Sequence, residues 1–358
     1  MRKKIVGMLT TATLLTMALA GNVQAAEIRS VGPDGEAAVD ASTIELTDDQ
    51  IAQIKEGGYT AAICLHYGGN DWSTSQQKGL EDTFGELGIE IVAVTDANFS
   101  AETQVSNIET VMAKKPDILV SIPTDATATA DAYKQAAAAG IKIVFMDQRA
   151  NGLEAGKDYV SVVSADNYGN GYASGTVLGD ALGRKGKVAM VYYDANFAPT
   201  NQRDEGFRDA MKNYPDIEIV TEQGFTDESG CAEQGDAILT QFPNIDGIYA
   251  SWDVPMEGVL SAVRAAGMEG KVTLACNDLG NNVAREIASG NIAGGGAQMP
   301  YDQGVAEAKL AALALLGEET PSYVAVPAET VTHENVLEAY TDVYHVETPD
   351  WLKEAYVE

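Results

Sequence analysis

Short, nearly continuous apolar runs alternate with helix-length segments from about residue 59 to residue 316, and this alternation constrains the fold more than any other feature. Ala61–Leu65, Ile89–Val94, Ile118–Ser121 and Ile141–Phe145 read as strands. Between them Thr74–Leu87, Ala101–Ala113 and Ala126–Ala139 read as helices, closed at Gly88 and Gly140 where a helix ends. Strands that are apolar on both faces belong to a parallel sheet covered on both sides. The alternation then restarts. Helices Tyr168–Leu182, Asn201–Lys212, Glu228–Gln241, Met256–Ala266 and Asn281–Ser289 are interleaved with strands Lys187–Tyr192, Ile217–Thr221, Gly247–Ala250, Val272–Ala275 and Ile292–Ala297. Asp302–Leu316 is a long helix. The pattern predicts an α/β protein of two doubly wound parallel-sheet lobes.

A chain of 358 residues is long enough for two such cores. With 45% hydrophobic and 21% charged residues it has a globular composition. Its first residues read as an export signal. Arg2, Lys3 and Lys4 precede an apolar stretch from Ile5 to Ala20, and Val23-Gln24-Ala25 is a small-residue cleavage site before Ala26. Thr10, Thr11, Thr13 and Thr16 interrupt that stretch, which is short for a membrane span. Leu19-Ala20-Gly21 begins a lipoprotein box, but Asn22 stands where the lipid-bearing Cys belongs. The mature chain is expected to be a free periplasmic or secreted protein.

Beyond residue 25 the chain carries 20 basic residues against 53 acidic, a net charge of −33. Such a surface repels nucleic-acid phosphates and anionic lipid, which speaks against both as partners. Three cysteines cannot form a disulfide framework. Cys64 and Cys276 fall in or beside strands and are expected to be buried, whereas Cys231 opens a polar helix and is expected to be exposed. Residues 26–58 are expected to be a leader, loose from Glu27 to Asp40, followed by a helix capped by Thr47 with Gln50 at the capping-box position.

Ligands of open parallel sheets bind beyond the carboxyl ends of the strands. After the first strand come His66-Tyr67-Gly68-Gly69-Asn70-Asp71-Trp72. Later strands lead to Asp147, Gln148 and Arg149, then to Asp166 and Asn167, then to Arg203 and Phe225. The last ones lead to Trp252 and Asp253, to Asn277 and Asp278, and to Gln298. Singly, an Asp or Asn there is as readily a helix cap, and a Trp or Phe as readily core. Together they combine carboxylates, amides and a guanidinium, which bond hydroxyls directionally, with flat rings that cover apolar CH faces. That chemistry suits a polyhydroxylated molecule.

Five segments, in this order and spacing, resemble the sugar-binding periplasmic proteins of ABC importers, type I, of the ribose-binding kind. They are Lys115-Pro116-Asp117-Ile118-Leu119, Ile143-Val144-Phe145-Met146-Asp147, Ser164-Ala165-Asp166-Asn167 with Gly171, Arg203-Asp204-Glu205-Gly206-Phe207, and Ala297-Gln298-Met299-Pro300. The resemblance spans about Tyr59 to Thr332. It implies a monomeric binder whose lobes, joined by a three-strand hinge, close on a sugar and deliver it to a permease, with a chemoreceptor as a further partner. It implies no cofactor and no catalysis. The first lobe is expected to comprise 59–164 and 299–320, the second 165–298 and 321–358 with a C-terminal tail. Carried over residue by residue, Asn70 and Trp72 are first-lobe contacts, with Asp71 between them, and Asp147 takes sugar hydroxyls. Asn167 and Arg203 bond ligand oxygens, Phe225 stacks, and Asp278 and Gln298 are polar contacts of the second lobe. Asp253 adjoins Trp252. Two departures stand out. Gln148 replaces the Arg expected after the first carboxylate, with Arg149 one residue on, and Trp252 stands where ribose binders carry Asn.

Other functions are weaker. The sequence has no Gly-x-Ser-x-Gly elbow, phosphate loop or His-Glu-x-x-His motif, and His66, His333 and His345 are scattered. Gly294-Gly295-Gly296 suits close lobe packing better than phosphate binding. A carbohydrate-active enzyme would need a working pair among Asp147, Asp253 and Asp278. A repressor on this fold would need a basic DNA-binding head. A receptor for a furanone-like signal would share fold and export and differ only in its pocket.

Overall fold

The computed structural model describes residues 27–357, and the expected signal segment at 1–25 lies outside them. The first lobe contains β1 (Val39–Asp40), α1 (Asp48–Gly57), β2 (Thr60–Leu65), α2 (Asp71–Glu86) and β3 (Glu90–Asp96). It continues through α3 (Ala101–Ala113), β4 (Ile118–Ser121), α4 (Ala130–Ala138), β5 (Lys142–Met146) and β6 (Ser161–Ala165). The second lobe begins with α5 (Asn167–Ala181), β7 (Lys185–Tyr193), α6 (Ala198–Met211), β8 (Asp216–Phe225) and α7 (Cys231–Gln241). It goes on with β9 (Gly247–Ala250), α8 (Asp253–Ala265), β10 (Thr273–Cys276), α9 (Asn281–Ala288) and β11 (Gly294–Ala297). The chain returns to the first lobe for α10 (Pro300–Leu315) and β12 (Tyr323–Val326). It then leaves again for β13 (Glu329–Thr332), α11 (Val336–Tyr344) and α12 (Asp350–Ala355).

The first sheet has the order β1-β12-β6-β5-β4-β2-β3 with parallel pairing throughout. The second has the order β13-β11-β10-β9-β7-β8, parallel except for β13. The apolar strands bury both faces, as their composition requires. Ile63 and Leu65 join Leu80, Phe84 and Leu310 on one side of the first sheet, while Ala62 and Cys64 join Ile108 and Tyr133 on the other. Each buried Leu, Ile or Phe contributes roughly 1.5–3 kcal/mol.

The capping box forms as the sequence predicts. Gln50 N donates to Thr47 Oγ1 at 3.3 Å and Thr47 N donates to Gln50 Oε1 at 2.9 Å. Helix α4 starts four residues later than its Ala-rich sequence suggests. The Asp125 carboxylate accepts the amides of Thr127 and Ala128 and holds that stretch as a turn.

Three expectations are corrected. The leader is tied down, because the amides of Arg29 and Ser30 donate to the Asp166 carboxylate and Val39–Asp40 pairs with Val324–Ala325. Cys231 is buried in the second core. The third crossing falls after Val326 and not at Pro321. Tyr323–Val326 is apolar and fully flanked, so its backbone groups are satisfied as a strand beside Val162–Ala165. The tail is packed as well, with Tyr340, Val343 and Leu352 in the second-lobe core.

Candidate functional site

Two carboxylates mark matching places in the two lobes. Asp147 directly follows β5 and Asp278 lies two residues past β10. Both adopt left-handed backbone, with φ of 54° and 70°. That conformation is disfavoured for residues with a Cβ and best tolerated by Asp and Asn among them. The amides of these residues are fixed, Asp147 N donating to Val163 O at 2.7 Å and Asp278 N to Gly296 O at 2.9 Å. Strained backbone at the carboxyl ends of parallel strands aims both side chains between the lobes.

A continuous hydrogen-bond chain links them across the hinge. Gln303 Nε2 and Ser164 Oγ donate to Asp147 Oδ1, at 3.3 and 2.8 Å. Asn167 Nδ2 donates to Ser164 Oγ at 2.9 Å, and Arg203 Nε donates to Asn167 Oδ1 at 2.8 Å. Arg203 Nη1 then reaches Asp278 Oδ2 at 3.2 Å, and Gln298 Nε2 donates to Asp278 Oδ1 at 2.8 Å. Burial pushes Asp147 above the usual carboxylate range, against the pull of Arg203. For Arg203 burial works against the charge, but Asp278 and Asp147 outweigh it and hold the guanidinium more firmly protonated. The position of Arg203 depends on Gly171. A Cβ there would stand 1.8 Å from the Arg203 carbonyl oxygen, so only glycine lets α5 approach α6 this closely.

Aromatic rings complete the cleft. Trp72 lies on the first-lobe side and Tyr193 and Trp252 on the second. His66 stacks on Phe197 of the opposite lobe, ring centroids 5.7 Å apart. Burial drops the His66 imidazole to about 3, so it is neutral at physiological pH. Trp72 Nε1, His66 Nδ1 and Gln298 Oε1 are buried with no hydrogen-bond partner among the described residues. All three belong to side chains that line the cleft.

Asn70, Trp72, Asp147, Arg203, Trp252, Asp278 and Gln298, all expected from the sequence, line this space. The remaining expected residues stand around it. Asp71 bridges the lobes, accepting Asn281 N at 2.7 Å and Asn281 Nδ2 at 2.8 Å. Gln148 donates to Pro123 O and accepts Ala198 N. Arg149 turns away to Asp34 of the leader. Asn167 holds Arg203, as described above. Phe225 backs Trp252, with centroids 5.1 Å apart. Asp253 is buried at the start of α8, and burial together with Asp278 pushes its carboxyl well up. His66, Tyr67, Phe99, Tyr193, Phe197 and Thr200 also line the cleft and were not singled out as contacts. The same rule of looking at strand ends points to them, since Tyr193 closes β7 and the others follow β2, β3 and β7.

Among the described residues no group of three or more His, Cys, Asp or Glu side chains is placed to hold a metal ion. None of their helices is long and apolar enough to cross a membrane. Two parallel α/β lobes with one polar and aromatic site between their strand ends define a two-lobed solute-binding protein of the type I periplasmic fold. The chain belongs to the periplasmic binding protein family, whose domain matches residues 61–319. It is 24% identical over 272 residues to the ribose import binding protein of Salmonella typhimurium, covering 76% of this chain and 90% of that one. It is 26% identical over 255 residues to the D-allose-binding periplasmic protein of Escherichia coli, covering 70% and 82%. Among solved structures, an ABC transporter periplasmic solute-binding protein from Actinobacillus succinogenes with bound D-allose superposes with a TM-score of 0.72 at 29% identity, covering 78% and 99%. One from Agrobacterium vitis bound with alpha-D-tagatopyranose has a TM-score of 0.74 at 25% identity, covering 82% and 100%.

Proposed function

We propose that the protein captures a neutral monosaccharide or small polyol between its lobes and hands it, chemically unchanged, to an ABC importer. The observation that carries this reading is the hydrogen-bond chain from Asp147 to Gln298, in which one buried cation faces two carboxylates between aromatic walls. Sugar hydroxyls can donate to Asp147 and Asp278 while accepting from Arg203, Asn70 and Trp72 Nε1. The rings of Trp72 and Trp252 suit the apolar faces of a sugar. An anionic ligand would add like charge to a site that already holds more carboxylate than cation. The relatives named for ribose and allose, and the structures holding D-allose and tagatopyranose, support a neutral sugar here. One chain furnishes both walls, so a monomer suffices.

The test is calorimetry on the mature protein with matched neutral sugars, polyols, sugar acids and sugar phosphates. Tight binding is expected among the neutral members. Tight binding confined to the acids or phosphates overturns the reading.

A further inference from the structure

The cleft does not end at the inner site. β3 is the outermost strand of the first sheet and β8 that of the second. The loops that follow these two edge strands face each other and enclose a second cavity of about 310 Å3, larger than the inner space and within the size range of small-molecule sites, roughly 300–1,000 Å3. Tyr67, Phe99, Tyr193 and Trp252 line both spaces, which therefore adjoin at these four rings. The Tyr67 and Phe99 rings stack 4.2 Å apart as one wall, while Tyr193 and Trp252 meet edge to face as the other.

Beyond those rings the lining turns polar. Asn98 comes from the first lobe, and Thr226, Asp227 and Glu228 come from the second. Glu228 Oε1 is anchored by Trp252 Nε1 at 2.8 Å, which ties the outer carboxylate to a ring of the inner site. Asp227 is occupied in part by Ser229, whose N and Oγ donate to its Oδ1 at 2.9 and 2.7 Å. An amide, a hydroxyl and carboxylates set beside flat rings repeat the chemistry of the inner site.

We propose that this cavity is an outer subsite for a second sugar ring, linked to the unit held at Asp147, Arg203 and Asp278. The proposal rests on the sugar-binding reading above and extends its substrate class to neutral disaccharides. The two spaces share these four rings, so on this proposal the glycosidic link crosses between them and the outer hydroxyls meet Asn98, Thr226 and Glu228.

Calorimetry on the mature protein tests this with glucose against maltose, cellobiose and gentiobiose, galactose against lactose and melibiose, and 4-nitrophenyl β-glucoside. At least one disaccharide should bind about tenfold or more tightly than its parent monosaccharide. Two variants alter only the outer cavity, and a third changes the carboxylate that Trp252 bonds. Asn98→Gly suits the positive φ of 47° there, Thr226→Ala removes a hydroxyl, and Glu228→Gln keeps an acceptor for Trp252. Each should cut the disaccharide advantage at least threefold, and Asn98→Gly and Thr226→Ala should leave monosaccharide affinity within about twofold. Monosaccharides that bind as well as every disaccharide overturn the outer subsite and leave the sugar reading intact. A gain shown by the nitrophenyl glucoside alone, insensitive to Glu228→Gln, overturns it in favour of an apolar substituent. No binding by any sugar of either length overturns both.

Discussion

The two lobes hold their pocket groups in different electrostatic states. In the second lobe Arg203 and Asp278 are already paired at 3.2 Å, with Asn167 holding Arg203 Nε and Gln298 holding Asp278 Oδ1. In the first lobe Asp147 has only neutral hydrogen-bond donors, Ser164 and Gln303. A ligand therefore meets a preorganised, charge-balanced socket on one side. On the other it meets a carboxylate that gains most from new donors. The second lobe couples fold and site through buried charge, whereas the first can lose its carboxylate charge with little structural consequence.

The strongest way to break this comparison is to remove a charge from each side. Arg203→Ala strands Asp278 in a buried setting. It should cost about 3–5 kcal/mol of stability, and ligand affinity should fall about a hundredfold or more with the charge-assisted bonds gone. Asp147→Asn should lower affinity about tenfold or more, yet shift the melting temperature little. Calorimetry and thermal unfolding on both variants check this. Equal destabilisation by both would end the asymmetry.

A smaller effect lies in pH. Asp204, the residue after Arg203, accepts from Ser251 Oγ at 2.6 Å and Tyr249 OH at 3.3 Å. Burial raises its carboxyl from 3.8 to about 7, despite those bonds and the nearby Arg208 and Arg203. The folded state thus holds a proton that the unfolded chain releases earlier. The stability this adds is complete below about 3.8 and is lost as pH rises through about 7. Asp204→Asn mimics the protonated form. Melting temperatures from pH 4 to 8 should fall less steeply in the variant, and above pH 7 it should be the more stable protein. An unchanged slope would remove Asp204 from the account.

The smallest expected effect concerns closure. Asp71 holds Asn281 from the opposite lobe at a partly exposed position. Asp71→Ala should weaken ligand binding by about two- to fivefold by favouring separated lobes. Small-angle scattering should show a larger radius of gyration for the ligand-free variant, and identical radii would show that the contact does not bias closure.

Much of the architecture was readable because it depends on local pattern. Apolar runs of strand length could be satisfied only in covered parallel sheets, and Thr47 with Gln50 announced its helix through backbone donors that any helix start leaves open. Strand order, by contrast, had no local signature. Tyr323–Val326 looked like the start of the second lobe because nothing in four apolar residues says which sheet they will join. Cys231 looked exposed because its polar neighbours face outward while it alone turns into the core.

The candidate site divides the same way. Parallel topology places whatever follows a strand at the mouth of the sheet, so Asp147, Asp278 and Gln298 could be named from position, while Arg203, inside α6, needed the family resemblance as well. Whether a named side chain faces the cleft is set by partners far away in sequence. Gln148 is drawn to Pro123, Arg149 to Asp34 and Asp71 to Asn281, separations of 25, 115 and 210 residues. Sequence by itself determined the two lobes, the chemical inventory at their strand ends and the acidic surface, since these follow from composition and period. Tertiary structure alone decided the Asp147-to-Gln298 chain, the neutral His66 and the second cavity between β3 and β8. Each of these arises from contact between segments whose relative placement exists only once both lobes have folded and met.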